Sequence, residues 1–281
     1  MNKKSILAPD LRIEPSQLYV RDLDKVGRFY RDMVMLDVLE KTDSRWLLGQ
    51  GNLPVLELIA KPEFNNANIR SAGLFHNAIL FNSRADLSRT VLNILQKSFD
   101  SFEGTGDHLV SEAFYFHDPE GNGLELYYDL PRENWQWVNG QVRMDTLRLD
   151  PEQYIMKKIE GKTGETKELG HVHLKVGDVD SARRFYVDQL GFDTTLDMGS
   201  ALFVSVGGYH HHLAMNTWAS RGVGEREPSL GLAEVKLILP DTEKITNLAK
   251  RLDDSSVRYS RQDEYLRVND PWGNKLLFVA E

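Results

Sequence analysis

Hydrophobic and polar positions alternate in short runs, and several of these runs lead into a polar start signal and then a stretch with helical spacing. Phe75–Phe81 reads as a strand. Arg84–Lys97 reads as the helix after it, with Leu87, Val91, Ile94 and Leu95 spaced to line one face. Glu234–Leu239 followed by Asp241–Leu252 repeats that order. Asp22, Ser83, Asp178 and Asp241 stand where a helix N-cap belongs, since a short polar side chain satisfies free N–H groups of the first turn. Trp46–Leu48, Val55–Ile59, Leu202–Val206 and His211–Met215 alternate again and read as further strands.

The pattern is duplicated. Residues 17–30 and 173–186 share Leu-x-Val-x-Asp-x-Asp and end in Arg-Phe-Tyr. The turn Asp118-Pro119-Glu120-Gly121-Asn122 returns as Asp270-Pro271-Trp272-Gly273-Asn274. Proline presets φ in such a turn, and glycine and asparagine accept positive φ. Each half divides once more, which gives an α+β chain of four βαβββ modules, at about 15–62, 72–130, 170–218 and 229–281. Residues 1–130 are expected to form an N-terminal domain, 131–168 a polar connector and 169–281 a C-terminal domain.

Composition narrows the function. A chain of 281 residues with 42 acidic and 34 basic side chains has a net charge of −8, which gives no electrostatic reason to expect nucleic acid or an anionic membrane. No apolar run is long enough to span a bilayer, and Met1–Asp10 has two lysines but no apolar stretch of a signal peptide. The absence of cysteine excludes disulfides and thiolate chemistry, so any metal must be held by His, Asp or Glu, and a reducing cytoplasm is the expected location.

One residue then demands an explanation. The run Leu124-Glu125-Leu126-Tyr127-Tyr128 is strand-like and otherwise apolar or aromatic. A carboxylate buried there costs several kcal/mol unless a partner or a metal holds it.

Four βαβββ modules with these helix starts resemble the vicinal oxygen chelate superfamily, which includes glyoxalases and extradiol catechol dioxygenases. The resemblance implies two edge-to-edge, cup-shaped mixed sheets flanked by helices, with modules pairing around a divalent metal. It also implies ligands on the first strand of a module, seven residues before the helix cap, and on the last strand after the Asp-Pro turn. Counting back gives His76, His171, Glu234 and Pro15, and counting past the two turns gives Glu125 and Leu277. A two-His-one-Glu set of His76, Glu125 and His171 therefore requires modules 2 and 3 in one cup, leaving 1 and 4 to build a metal-free one. Of His171 and His173, one is expected to be incidental, and Glu234 reads as a surface or salt-bridged residue.

Three further places resemble extradiol dioxygenases. Gly104-x-Gly106-x-His108, Ser111 and Tyr115 precede the turn, although the interval from His108 to Tyr115 is two residues shorter than in the best-known of these enzymes. Tyr209-His210-His211-His212 resembles the His-rich last strand that carries their acid–base histidine, and His211 is the expected residue, with His212 as the fallback. The resemblance thus implies an extradiol dioxygenase cleaving a small catechol-type aromatic with O2, using Fe(II) with Mn(II) as the alternative, with His211, Tyr115 and His108 catalytic. Trp46, Phe114, Phe203 and Trp218 are candidates for lining the site or for plain core. The rivals are a glyoxalase-type isomerase or lyase, whose fourth ligand would have to be Glu57 or His212, and a metal-free binding or resistance protein. His173 remains a further site candidate, and homo-oligomerisation stays open.

Overall fold

The computed structural model describes residues 7–281 except Glu165, so the first six residues read for a leader lie outside the described residues. In chain order the first module holds β1 (Arg12–Val20), α1 (Leu23–Arg28), β2 (Asp37–Lys41), β3 (Arg45–Gln50) and β4 (Leu53–Ala60). The second holds β5 (Gly73–Phe81), α2 (Arg84–Lys97), β6 (Phe102–Asp107), β7 (Ser111–His117) and β8 (Gly123–Asp129). A hairpin of β9 (Trp137–Val138) and β10 (Gln141–Val142) and the helix α3 (Pro151–Lys158) follow. The third module holds β11 (Lys167–Lys175), α4 (Val179–Arg183), β12 (Asp193–Asp197), β13 (Ala201–Ser205) and β14 (Leu213–Asn216). The fourth holds β15 (Gly231–Leu239), α5 (Thr242–Asp254), β16 (Tyr259–Gln262), β17 (Tyr265–Asn269) and β18 (Lys275–Ala280).

The four cap residues act as expected. Asp22, Ser83, Asp178 and Asp241 each accept a hydrogen bond from the backbone N–H three residues on. In modules 1 and 3 the helix is short and widens into a π turn, at Phe29–Met33 and Arg184–Leu190. The duplicated Phe-Tyr pair lies in these turns. Tyr30 donates to Asp118 Oδ2 at 3.4 Å and Tyr186 to Asp270 Oδ2 at 3.0 Å, so each Asp-Pro turn is tied to the preceding module. The other oxygen of each aspartate accepts backbone N–H groups of its own turn, from Glu120 and Asn122 or from Trp272 and Asn274. Gly121 and Gly273 close the two turns at positive φ.

Two open, mixed sheets of eight strands result. One runs β12-β13-β14-β11-β5-β8-β7-β6 and the other β16-β17-β18-β15-β1-β4-β3-β2. Modules 2 and 3 therefore share one sheet and modules 1 and 4 the other, the pairing that the ligand count required, and each sheet draws on both halves of the chain. The strands at the centre of the sheets are buried on both faces, and the core lies between the sheets. Leu18, Val20, Val172, Leu174, Val235 and Leu237 meet there in one apolar cluster. In β11 the alternation sends Val172 and Leu174 into that core and His171 and His173 to the opposite face.

Residues 131–168 do more than connect. Besides the hairpin and α3, they contribute Met144, Asp145 and Thr146 to the wall of a cavity, and Leu147 bridges Asp107 at the end of β6. β11 also begins at Lys167, inside the stretch read as connector. Polar composition misled here because this segment packs with single apolar residues rather than a periodic face. Among the described residues, no helix is long and apolar enough to cross a membrane.

Candidate metal centre

Strand register assembles the site. Ala78 on β5 lies opposite Glu125 on the parallel strand β8 and opposite His171 on the antiparallel strand β11. His76, two residues before Ala78, points to the same face. The methyl of Ala78 is fully buried between these strands, so the three larger side chains converge above a small residue. A ligating atom from each of His76, Glu125 and His171 lies within 4.8 Å of the others. Glu125 Oε2 is 3.0 Å from His76 Nε2 and 3.2 Å from His171 Nε2.

These donors suit a divalent cation. His76 Nε2 is buried and makes no hydrogen bond, and His171 Nδ1 is likewise buried without a partner. Orphaned buried nitrogens are costly and rare. Separations of 3.0 and 3.2 Å are those of neighbouring donors each about 2.0–2.2 Å from one ion. Two imidazoles and one carboxylate on one face also leave coordination positions open. Burial opposes ionisation of Glu125, but His171 and His76 outweigh it and hold the carboxyl well below its usual range. Burial pushes His171 down to about 4, so its imidazole is neutral at pH 7, the form that ligates.

Tyr115 on β7 is the direct cross-strand neighbour of Glu125. Its hydroxyl lies 2.7 Å from His108 Nε2, and His108 Nδ1 lies 2.8 Å from the carbonyl of Asp145. A carbonyl only accepts, so Nδ1 carries the proton, and in that tautomer Nε2 accepts from the Tyr115 hydroxyl. The short interval between His108 and Tyr115 is absorbed by a tight turn. His108 N–H donates to the Ser111 carbonyl, Leu109 takes positive φ, and Asp107 Oδ1 accepts from Leu109 N–H. Gly106 is needed because any Cβ there would strike the His108 ring. Burial, with Glu125 adding to it, pushes the Tyr115 phenol well above 10, so it remains a hydrogen-bond donor.

The histidine run is a turn, not a strand. Gly207 and Gly208 take positive φ, and β14 begins only at Leu213. His211 lines the cavity with its ring centroid 4.0 Å from that of His171. Behind it, His210 Nδ1 is 2.7 Å from His211 Nδ1, and His210 Nε2 is 2.8 Å from Asp129 Oδ1. Asp129 accepts a hydrogen bond from His210 Nε2–H, and in the tautomer whose Nδ1 accepts from His211 Nδ1–H the His211 Nε2 lone pair is left free. Burial, reinforced by the neighbouring imidazoles, pushes His211 well below its usual value. Neither Asp129 nor His210 was picked out from the sequence, although both residue types stand in motifs already under scrutiny.

Two further candidates lie away from the cluster, and a third lies in the cavity wall. His212 turns away from the cavity, where its Nδ1 meets the Ser205 hydroxyl at 2.8 Å, so it is no fourth ligand. Glu57 lies on β4 of the other sheet, bonded by Gln17 at 2.6 Å and Arg45 at 2.8 Å. His173, a further site candidate, faces the same cavity outside the three-donor cluster, with Nε2 3.0 Å from Asn216 Nδ2. Phe203 and Trp218 line the cavity, whereas Trp46 and Phe114 are core. The cavity measures about 500 Å³.

Comparison with known proteins agrees with this architecture. The profile of the Glyoxalase/Bleomycin resistance protein/Dioxygenase superfamily matches residues 168–278. A catechol-2,3-dioxygenase of Bacillus subtilis is 36% identical over 271 residues, covering 93% of this chain and 94% of its own. Glyoxalase I from Zea mays superposes with a TM-score of 0.61 at 19% identity, over 96% of this chain and 92% of its own. The CppA protein of Streptococcus pneumoniae does so with a TM-score of 0.60 at 16% identity, over 96% and 98%. The two superpositions speak for the fold alone.

Proposed function

Since the chain belongs to the Glyoxalase/Bleomycin resistance protein/Dioxygenase superfamily, we propose that it is an extradiol dioxygenase, which opens a catechol-type ring beside its vicinal hydroxyls with O2. His76, His171 and Glu125 would hold the metal, Fe(II) or Mn(II), both of which accept this ligand set. Such an ion would lower the pKa of the catechol hydroxyls and offer open positions to substrate and O2.

The observation that carries this reading is the placement of proton-handling groups around an open three-donor cluster. On one side His211 presents a neutral ring whose tautomer is set by His210 and Asp129, which suits it to take a proton from a substrate hydroxyl. When that proton is on His211, Asp129 stabilises the positive charge through His210. On the other side Tyr115 donates to His108 and turns its remaining lone pairs toward the substrate, where they can accept from a substrate hydroxyl and orient the ring. The backbone carbonyl of Asp145 keeps His108 in the accepting tautomer. Both atoms of O2 end in the product, so one O2 is consumed per ring opened.

A glyoxalase-type reaction would call for a fourth protein ligand, and among the described residues no other His, Asp or Glu joins the cluster. A metal-free binding role would leave the bare His76 nitrogen unexplained. Anaerobic loading with Fe(II), followed by catechol and O2, tests the proposal. A yellow ring-fission product with one O2 taken up per catechol is expected. Turnover of a thiohemiacetal without O2 uptake would overturn it.

A further inference from the structure

The cavity is much larger than one aromatic ring requires. About 500 Å³ falls in the range that holds drug-sized ligands, and the surplus has a definite character. From the metal cluster outward, the wall passes from Phe203 past His173 to Phe75 and Trp218 at the rim. The rings of Phe75 and Trp218 meet edge to face with centroids 5.3 Å apart, and His173 sits 5.0 Å and 5.5 Å from the two. Met198 from the turn between β12 and β13 and Met144 from the segment between β10 and α3 line the same cavity. Trp218 is held by a bond of its indole N–H to Ser200 Oγ at 3.2 Å, yet it is 54% exposed, and Met198 is 57% exposed. Ordered aromatic surface and soft methionines left open at a cavity mouth are suited to covering an apolar group.

The charges at the cavity point the same way. Among the described residues, no lysine or arginine lines it. The charged side chains on its wall, apart from the histidines and Glu125, are Glu103 and Asp145, both exposed at the rim. Glu103 is 3.1 Å from His117, and Asp145 Oδ1 accepts from the Thr146 N–H at 2.8 Å. A substrate carboxylate would enter past two acids and find no lysine or arginine to pair with, an unfavourable juxtaposition of like charges.

We propose that the site selects uncharged catechols carrying a bulky apolar substituent, which packs between Phe75, Trp218, Met144 and Met198, and rejects catechols bearing a carboxylate. This rests on the dioxygenase reading for the catechol itself. The preference for an apolar tail over an acidic one comes from the outer cavity alone.

The test compares 4-tert-butylcatechol, catechol and 3,4-dihydroxybenzoate on the Fe(II)-loaded protein. Binding is measured by anaerobic titration calorimetry, and kcat/KM after O2 is admitted. The tert-butyl probe is expected to bind about tenfold more tightly than catechol, and the carboxylate probe at least about tenfold more weakly. Trp218→Ala should collapse the first ratio, and Asp145→Asn should narrow the second. Equal binding of the carboxylate probe and catechol, or an unchanged first ratio in Trp218→Ala, overturns the selectivity. If the binding order holds and nothing is cleaved, the dioxygenase reading fails and the selectivity stands. If all three are cleaved with similar efficiency, the reverse is true, and if none binds, both fail.

Discussion

Seven residues before a helix cap, one sheet carries His76 and His171 where the other carries Glu234 and Pro15. Seven residues after the Asp-Pro turn aspartate, one has Glu125 and the other Leu277; three before it, one has Tyr115 and the other Arg267. The backbone is the same, and the buried charges are resolved in opposite ways. In the sheet of modules 1 and 4, Arg267 makes a two-pronged bond to Glu234, and Arg45 and Gln17 hold Glu57. Those carboxylates are satisfied from within. In the sheet of modules 2 and 3, Glu125 meets two imidazoles, of which His171 is held neutral at pH 7 by burial, and the His171 Nδ1 is left without a partner. All eight histidines of the chain lie in these two modules. A site that binds something is one that the fold leaves electrostatically unfinished.

The sharpest way to break the contrast is to make the first sheet resemble the second. Glu125→Leu copies Leu277 and should fold, since Leu124 and Leu126 already flank it in a strand of the same register. Metal content measured by mass spectrometry should fall to background, and ring-cleaving activity should drop at least ~10³-fold, the equivalent of ~4 kcal/mol. Retention of stoichiometric metal would remove Glu125 from the ligand set. Tyr115→Phe is the milder version, since it deletes one hydroxyl and leaves the cluster intact. Activity should fall about 10²-fold with metal content unchanged, and full activity would deny the phenol a role.

The reverse substitution acts on stability alone. Arg267→Leu leaves Glu234 buried without its partner, and unfolding in urea should show a loss of about 2 kcal/mol, reduced by the partial exposure of the guanidinium. Metal content and kcat/KM should be those of the parent. A loss of metal would mean that the two sheets are coupled, contrary to the division of labour drawn above.

Counting residues in the sequence picked out the three proposed ligands because the family resemblance supplies two fixed spacings. The strand-to-cap spacing and the Asp-Pro turn are local to a module, so the ligand positions that the resemblance implies could be carried to His76, His171 and Glu125, whose ligating atoms lie within 4.8 Å of one another. A complete ligand set required modules 2 and 3 in one cup but left the pairing open, and the strand order supplies it. The salt bridge of Arg267 with Glu234 was open to the same counting, since Arg267 stands where Tyr115 does. Other features follow from tertiary packing and leave no periodic trace. The turn of His210–His212 was read by strand alternation, whereas Gly207 and Gly208 bend it. The bond of His210 to Asp129 joins residues 81 apart in sequence, and Met144–Thr146 reach the cavity from a segment with no repeat of its own.

The smallest expected effect concerns acid. His212 Nδ1 lies 2.8 Å from the Ser205 hydroxyl and accepts from the Val206 N–H at 3.4 Å, and burial pushes its imidazole down to about 3. An unfolded chain takes up that proton near 6.5. Between those two values the unfolded state therefore binds more protons than the folded one, so stability falls as pH drops below about 6.5 and is flat above it. One such group contributes a slope of about 1.4 kcal/mol per pH unit. The sheet of modules 1 and 4 has no histidine and gives no slope of this kind. His212→Asn should lower stability somewhat at pH 7, yet flatten its fall between pH 6 and 4.5 by about that slope in urea titrations of metal-free protein. An unchanged slope would mean that His212 is protonated in the folded state, and that its bonds to Ser205 and Val206 are not what resists acid.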